Sequence, residues 1–285
     1  MPLLQNPIMS TLSSSDDETL AVYDWPLPAT QKARGTALLV HGLGEHMGRY
    51  AHVAQHLNDW GFAVRGYDHV GHGLSTGERG VLPTDNSMLN DLAKVIAQTR
   101  QSMQIGLPLV LMGHSMGGGV VGRYVSLNKS SVDALVMSSP ALDPGLNMVQ
   151  KLLLATLPKI APNLRIGNGL DANFISHDAA AVAAYVADPL GHDRITPRLA
   201  QVIATSGAAT IQAASQWTTP TLLMFAGEDK LVSPEGSRAF AASAPNCVTT
   251  HAFEHMFHEL FNETDQAQVF KVLKTWLDQT FKIKA

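Results

Sequence analysis

The sequence predicts an α/β protein: a mostly parallel sheet with helices on both faces, interrupted by one inserted helical segment. Three observations predict it. Short apolar runs alternate with helix-spaced segments between residues 35 and 140. The alternation stops at Pro140 and resumes at Pro220. One apolar run leads directly into Gly113-His114-Ser115-Met116-Gly117, and a helix-like run follows it.

Taken in order, residues 19–25 alternate weakly and read as an edge strand or hairpin arm. Residues 35–40 form a short apolar run, as expected of a buried parallel strand. Residues 50–60 carry Val53, Leu57 and Trp60 at helical spacing and stop at Gly61. A strand over 62–67 ends at Asp68. A helix over 88–103 puts Leu89, Leu92, Val95, Ile96 and Met103 on one side. A strand over 107–112, the bend at Ser115, a helix over 118–127 and a strand over 133–137 complete the first half. The second half reads as a strand over 220–227, a helix over 236–243, a strand over 247–253 and a closing amphipathic helix over 266–281. The resulting division is a loose N-terminal tail over 1–15, a first core part over 16–140, a helical cap over 141–216 and a second core part over 217–285.

The insertion is apolar and broken by prolines, among them Pro144, Pro158, Pro162, Pro189 and Pro197. Its strongest stretch holds Leu146, Met148, Val149, Leu152, Leu153, Leu154 and Leu157; a second piece spans 179–186. Such a segment is either a plain core helix or a lid with an outward apolar face. It leaves the sheet at the carboxyl edge, where ligands bind in open α/β sheets. That position favours the lid.

Composition narrows the function classes. The chain has 285 residues, 45% hydrophobic and 15% charged, enough for a large core and unlike a disordered chain. A net charge of −4 with no basic run gives no reason to expect nucleic-acid binding. The single cysteine, Cys247, permits no internal disulfide and is expected to be a packed thiol. No Lys or Arg precedes Lys32, so no secretory signal is expected, and no apolar run approaches a membrane span. The expected location is cytoplasmic, with peripheral contact at the inner membrane face through the cap.

A strand turning sharply into a helix with serine at the bend is a nucleophile elbow. Glycines two before and two after Ser115 remove side chains that would clash there. A serine hydrolase of this architecture needs an acid and then a histidine later in the chain. The strand over 220–227 ends at Gly227-Glu228-Asp229, and Asp229 is the candidate acid. Glu228 adjoins it but would point elsewhere; Asp143, Asp188 and Asp193 are weaker candidates in the insertion. After the next strand come His251, His255 and His258. His251 lies within the strand and reads as structural, whereas spacing does not separate His255 from His258. His52 and His56 stand four apart on a helix but lack a third ligand, and no zinc-protease motif is present, so no metal is expected. The oxyanion hole calls for the N–H of Met116 and a second from the loop His41-Gly42-Leu43-Gly44. The flanking glycines make Leu43 that donor.

Three segments resemble the monoacylglycerol lipases, within the wider lysophospholipase-like α/β-hydrolases. Residues 41–50, HGLGEHMGRY, are similar to the family's HGxGEHxGRY segment. Residues 68–79, DHVGHGLSTGER, are similar to DHVGHGxSxGER, and residues 113–118 to GHSMGG. Asp188-Pro189-Leu190 and the C-terminal acid and histidine extend the likeness over nearly the whole chain. The family pattern near the histidine aligns His258 with the catalytic position, while His255 takes a glycine position and stays in reserve. The resemblance implies an α/β-hydrolase fold and hydrolysis of monoacylglycerol esters by Ser115, Asp229 and His258. No cofactor is implied, and the partner is a small lipid ester. Lysophospholipase or broad carboxylesterase activity is the alternative within enzymes. A non-catalytic ligand-binding protein of the same fold is the alternative outside them.

Overall fold

The computed structural model describes residues 6–127, 132–145 and 148–282. Its centre is an eight-stranded sheet in the order β1-β2-β4-β3-β5-β6-β9-β10. The strands are β1 (Ile8–Ser13), β2 (Thr19–Trp25), β3 (Gly35–Val40), β4 (Phe62–Tyr67), β5 (Leu109–His114), β6 (Ala134–Ser138), β9 (Thr221–Ala226) and β10 (Val248–Phe253). From β4 to β10 every neighbouring pair is parallel; β1–β2 and β2–β4 are antiparallel. This is the α/β-hydrolase arrangement expected from the sequence.

The central strands bury both faces, so alternate residues enter separate cores. Leu38 and Val40 of β3 join Leu109 and Leu111 of β5 on one side. There they meet α2 (Ser87–Ser102), α3 (Met116–Ser126), α6 (Pro197–Gln212) and α7 (Pro234–Ser243), through Leu92, Val121, Leu199 and Phe240. Ala37, Leu39, Val110 and Met112 face the other side, against α1 (Ala51–Asp59) and α8 (Gln266–Thr280), through Leu57, Leu273 and Trp276.

Two expectations change. Residues 8–13 are not a loose tail. They form β1, paired antiparallel with β2 from Ile8↔Asp24 to Ser13↔Thr19. Their side chains are mostly exposed, so neither burial nor alternation marks the strand, and backbone pairing alone makes it. The inserted region is also not uniform. It contains α4 (Met148–Ile160), a two-stranded ribbon of β7 (Ile166–Gly167) and β8 (Arg194–Ile195), and α5 (Ala179–Ala187). Yet α6, placed in the same insertion by its sequence position, is a layer of the core itself. Gly207 of α6 lies so close to the strand exit that an added Cβ would stand 2.4 Å from the Leu142 carbonyl oxygen. Leu146, part of the apolar stretch, lies outside the described residues.

The stretch of the insertion around residues 188–192 rests on the loop after β3. His192 N donates to Gly44 O at 2.9 Å, and His46 Nε2 meets Asp188 Oδ2 at 2.8 Å. Cys247 is half-buried, with its thiol 3.4 Å from Trp217 O.

Candidate active site

Ser115 sits between β5 and α3 with φ 54° and ψ −120°, outside the regions L-residues favour. Such a conformation costs on the order of 1–3 kcal/mol and persists only where its surroundings enforce it. Here they do. Ser115 N donates to Ser138 O at 3.0 Å, while its carbonyl accepts from Gly119 N at 3.0 Å and Ala141 N at 2.9 Å. The glycines of the motif are required by close approach: a Cβ on Gly113 would stand 2.4 Å from Gly117 O, and one on Gly117 2.3 Å from Val40 O. Met116 opens α3, so its N–H belongs to the positive end of that helix.

Asp229 follows β9 and His258 follows β10, so the parallel pairing of these strands puts both at one sheet edge. His258 Nδ1 lies 2.6 Å from Asp229 Oδ2, and both side chains are buried. Asp229 Oδ1 accepts from Leu231 N and Val232 N, which leaves Oδ2 for the imidazole. Burial by itself would lower the His258 pKa, but the adjoining Asp229 carboxylate and its hydrogen bond outweigh it and hold the pKa above the ordinary value. Burial pulls Asp229 the other way, and His258 with the two backbone donors keeps its carboxyl below the usual range.

The remaining candidates go elsewhere. His255 is 93% exposed and faces Glu228 at 3.3 Å. Asp143 accepts from Gly145 N, Asp188 pairs with His46 and Asp193 with Arg194. His251 lies on β10 against Phe253, and His56 packs on Phe270 with ring centroids 3.9 Å apart.

Ser115, His258, Leu43 and Met116 line one cavity of about 590 Å³, within the range of small-molecule sites. Its apolar lining includes Leu153, Leu154 and Leu157 from α4, Ile175, and Ile203 from α6. Gly42 admits close approach here: a Cβ on it would stand 3.2 Å from the Ser115 Cβ.

A set of residues to which the sequence motifs gave no role ties this site together. Glu45 Oε1 accepts from Gly42 N and Tyr50 OH, each at 2.7 Å, and Oε2 accepts from Arg49 at 2.6 Å. Arg49 also donates both arms to Glu259, at 2.8 and 2.7 Å. One guanidinium thus joins the loop bearing Leu43 to the loop bearing His258. Burial would raise the Glu45 carboxyl, but Arg49, His114, His41 and Tyr50 bring it down to about 2. His114, beside the serine, hydrogen-bonds Ser138 O and lies 4.8 Å from the His258 ring. Burial and the neighbouring His258 lower its pKa to about 4, so it stays neutral when His258 is protonated. The sequence signal for this network was the i, i+4 pair Glu45–Arg49; nothing in the spacing announced Glu259 as its third member.

Comparison with known proteins agrees with this architecture. Residues 31–265 match the family Hydrolase_4, serine aminopeptidase S33. The chain is 35% identical over 266 residues to the monoacylglycerol lipase of Mycolicibacterium smegmatis, covering 90% of this chain and 92% of that one. It is 32% identical over 278 residues to an uncharacterized abhydrolase domain-containing protein of Dictyostelium discoideum, covering 95% of this chain but only 29% of that longer relative. The crystal structure of the Paleococcus ferrophilus monoacylglycerol lipase superposes with a TM-score of 0.82 at 31% identity, covering 92% of this chain and 99% of that one. With its family match spanning most of the sequence and a complete α/β-hydrolase sheet, the chain belongs to the Hydrolase_4 family of α/β-hydrolases.

Proposed function

We propose that the protein hydrolyses monoacylglycerols to fatty acid and glycerol through an acyl-enzyme on Ser115. The observation that carries this reading is the buried Asp229–His258 pair, whose imidazole lines the same mainly apolar cavity as the strained Ser115. In this reaction His258 takes the Ser115 proton as the hydroxyl oxygen attacks the ester carbonyl. Asp229 holds the imidazole tautomer and balances the cation that forms. The Leu43 and Met116 N–H groups receive the oxyanion, each worth about 3 kcal/mol of transition-state stabilisation. His258 then protonates the departing alcohol oxygen. In the second half it draws a proton from water, whose oxygen attacks the acyl carbonyl and returns Ser115 to its starting state. None of these steps calls on a metal or organic cofactor.

The apolar lining supports a long acyl chain as the buried part of the substrate. The polar residues near the serine support a small hydroxyl-bearing head. Glu45 and Glu259 are both engaged by Arg49, so neither is free to hold the α-ammonium of a peptide, which weighs against the aminopeptidase reading in the family description. We assign residues 148–195 as the cap over this cavity, with residues 196–216 of the insertion belonging to the core. Among the described residues no helix is long and apolar enough to cross a membrane. The proposal includes peripheral contact, for which the exposed apolar side chains of the cap are the support.

Ser115→Ala tests the mechanism directly. The expected result is loss of long-chain monoacylglycerol hydrolysis by at least about 10³-fold, together with loss of labelling by a fluorophosphonate. Retained hydrolysis would sink the acyl-enzyme.

A further inference from the structure

A second, separate set of contacts grips the loop that carries His258, and it comes from the inserted segment. Glu263 is 1% exposed, and its carboxylate accepts four hydrogen bonds. Two come from its own loop, Phe257 N at 2.6 Å and Thr264 N at 3.1 Å. The other two come from His177, which begins the approach to α5: its backbone N at 3.2 Å, and its ring Nδ1 at 2.8 Å. The His177 ring also stacks on Phe257, with centroids 3.7 Å apart and planes 21° from parallel. Two further bonds follow the same seam. Glu259 N donates to Ile175 O at 2.7 Å, and Ser176 Oγ donates to Asn262 O at 2.8 Å. Residues 175–177 therefore hold the backbone after His258 directly and the backbone before it through Glu263, and Ile175 lines the cavity itself.

Burying a carboxylate is costly unless it is fully hydrogen-bonded, and no step assigned to Ser115, Asp229 or His258 uses this one. Three of its four donors lie one residue before His258 or on the covering segment. From this placement we propose that Glu263 is the positioning residue for His258, and that His177 is the latch through which the covering segment fixes the imidazole over Ser115. The inference rests on the reading of His258 as the general base. It goes beyond that reading in making base alignment depend on the docking of residues 175–177.

The chemistry gives a graded expectation. Glu263→Gln keeps the shape, loses the charge and aims a donor at N–H groups. His177→Phe keeps the stack on Phe257 and removes only the ring hydrogen bond. A misplacement of the base by about 1 Å costs on the order of 10²-fold in rate. Glu263→Gln is therefore expected to lower kcat for a long-chain monoacylglycerol by about 10²-fold with KM changed less than about threefold. His177→Phe is expected to lower it about tenfold. The rate of fluorophosphonate labelling should fall in parallel in both, and the far-downfield proton resonance of the His258–Asp229 hydrogen bond should broaden or shift. The double variant should lose no more than Glu263→Gln alone, since both act through one contact. Should Glu263→Gln not fold, His177→Phe, altered only at a half-exposed ring, carries the same measurements. Unchanged labelling and an unmoved proton resonance in a folded variant would overturn the proposal. So would a fall in kcat that vanishes once activity is corrected for the folded fraction. Failure of the wild-type protein to label at Ser115 would instead overturn the underlying mechanism.

Discussion

At the Asp229–His258 pair, a 2.6 Å hydrogen bond joins two groups whose protonation preferences have been driven apart. Burial favours the neutral imidazole, and the carboxylate beside it favours the cation more strongly. A base must be unprotonated to act, so the raised pKa sets the acid limb of activity. In kcat/KM against pH, that limb should have its midpoint above 6.5, the ordinary histidine value. Asp229→Asn removes the two largest raising causes and leaves burial opposed only by the weaker pull of Glu259 and Glu45. The midpoint should then move to lower pH while kcat falls by about 10⁴-fold, as expected when the tautomer is lost. An acid limb that stays in place in that variant would show that another group sets it. At this scale the sequence was informative where chemistry dictates chain order. A serine at a bend, then an acid and then a histidine after strands are legible because parallel strands deliver their ends to one edge. The choice between His255 and His258 was not legible from spacing, since three residues of loop reverse which side chain is buried. Resemblance selected His258, and the coordinates give it the buried carboxylate while His255 is 93% exposed. Glu263 had no signal of its own, because the two His177 groups that bind it come from 86 residues away.

Among the elements, the strand–bend–helix unit around Ser115 leaves least room for change. Gly117 lies on the first turn of α3, pressed against the end of β3. A methyl group there would meet the Val40 and His41 carbonyl oxygens at 2.3 and 2.5 Å, and both atoms are backbone that cannot swing aside. Gly117→Ala should therefore destabilise the protein by about 1–3 kcal/mol and tilt the helix N-terminus away from the serine. The urea midpoint and the fluorophosphonate labelling rate measure the two effects. A variant unchanged in both would mean that α3 can slide along the sheet. Most elements were readable from periodicity, with ends displaced by one or two residues. β5 runs through His114 rather than ending at 112, because Gly113 and His114 continue the ladder to Met137 and Ser138. The strand at residues 8–13 escaped notice for the opposite reason. Ile8 and Met9 are exposed, so no buried face imposes a pattern on the sequence.

For the whole molecule, the proposed cap carries an apolar outer surface that the core does not need. Met148 is 81% exposed, Ile160 78% and Val186 69%, while Leu154 and Leu157 of the same region line the cavity. Each large side chain moved from water into lipid contributes about 1.5–3 kcal/mol. Paired Met148→Ser and Ile160→Ser substitutions should weaken sedimentation with phosphatidylcholine vesicles by at least about tenfold. Turnover of a short-chain, water-soluble ester should be spared. Equal vesicle binding by the double variant would place the lipid contact elsewhere. The insertion's existence was legible from the break in alternation at Pro140. Its division between cap and core was not, because helical spacing is the same whether a helix covers a cavity or packs on a sheet.

The seam between that segment and the loop after β3 has a consequence for anyone recombining such proteins. Gly44 leaves no space for a side chain beneath the His192 carbonyl, and Asp188 takes the ring of His46. A lid borrowed from another hydrolase would arrive without its counterpart in that turn. Chimeras should therefore exchange residues 42–48 along with the lid. Otherwise the graft disturbs the amides proposed to cradle the ester before it changes which chains fit.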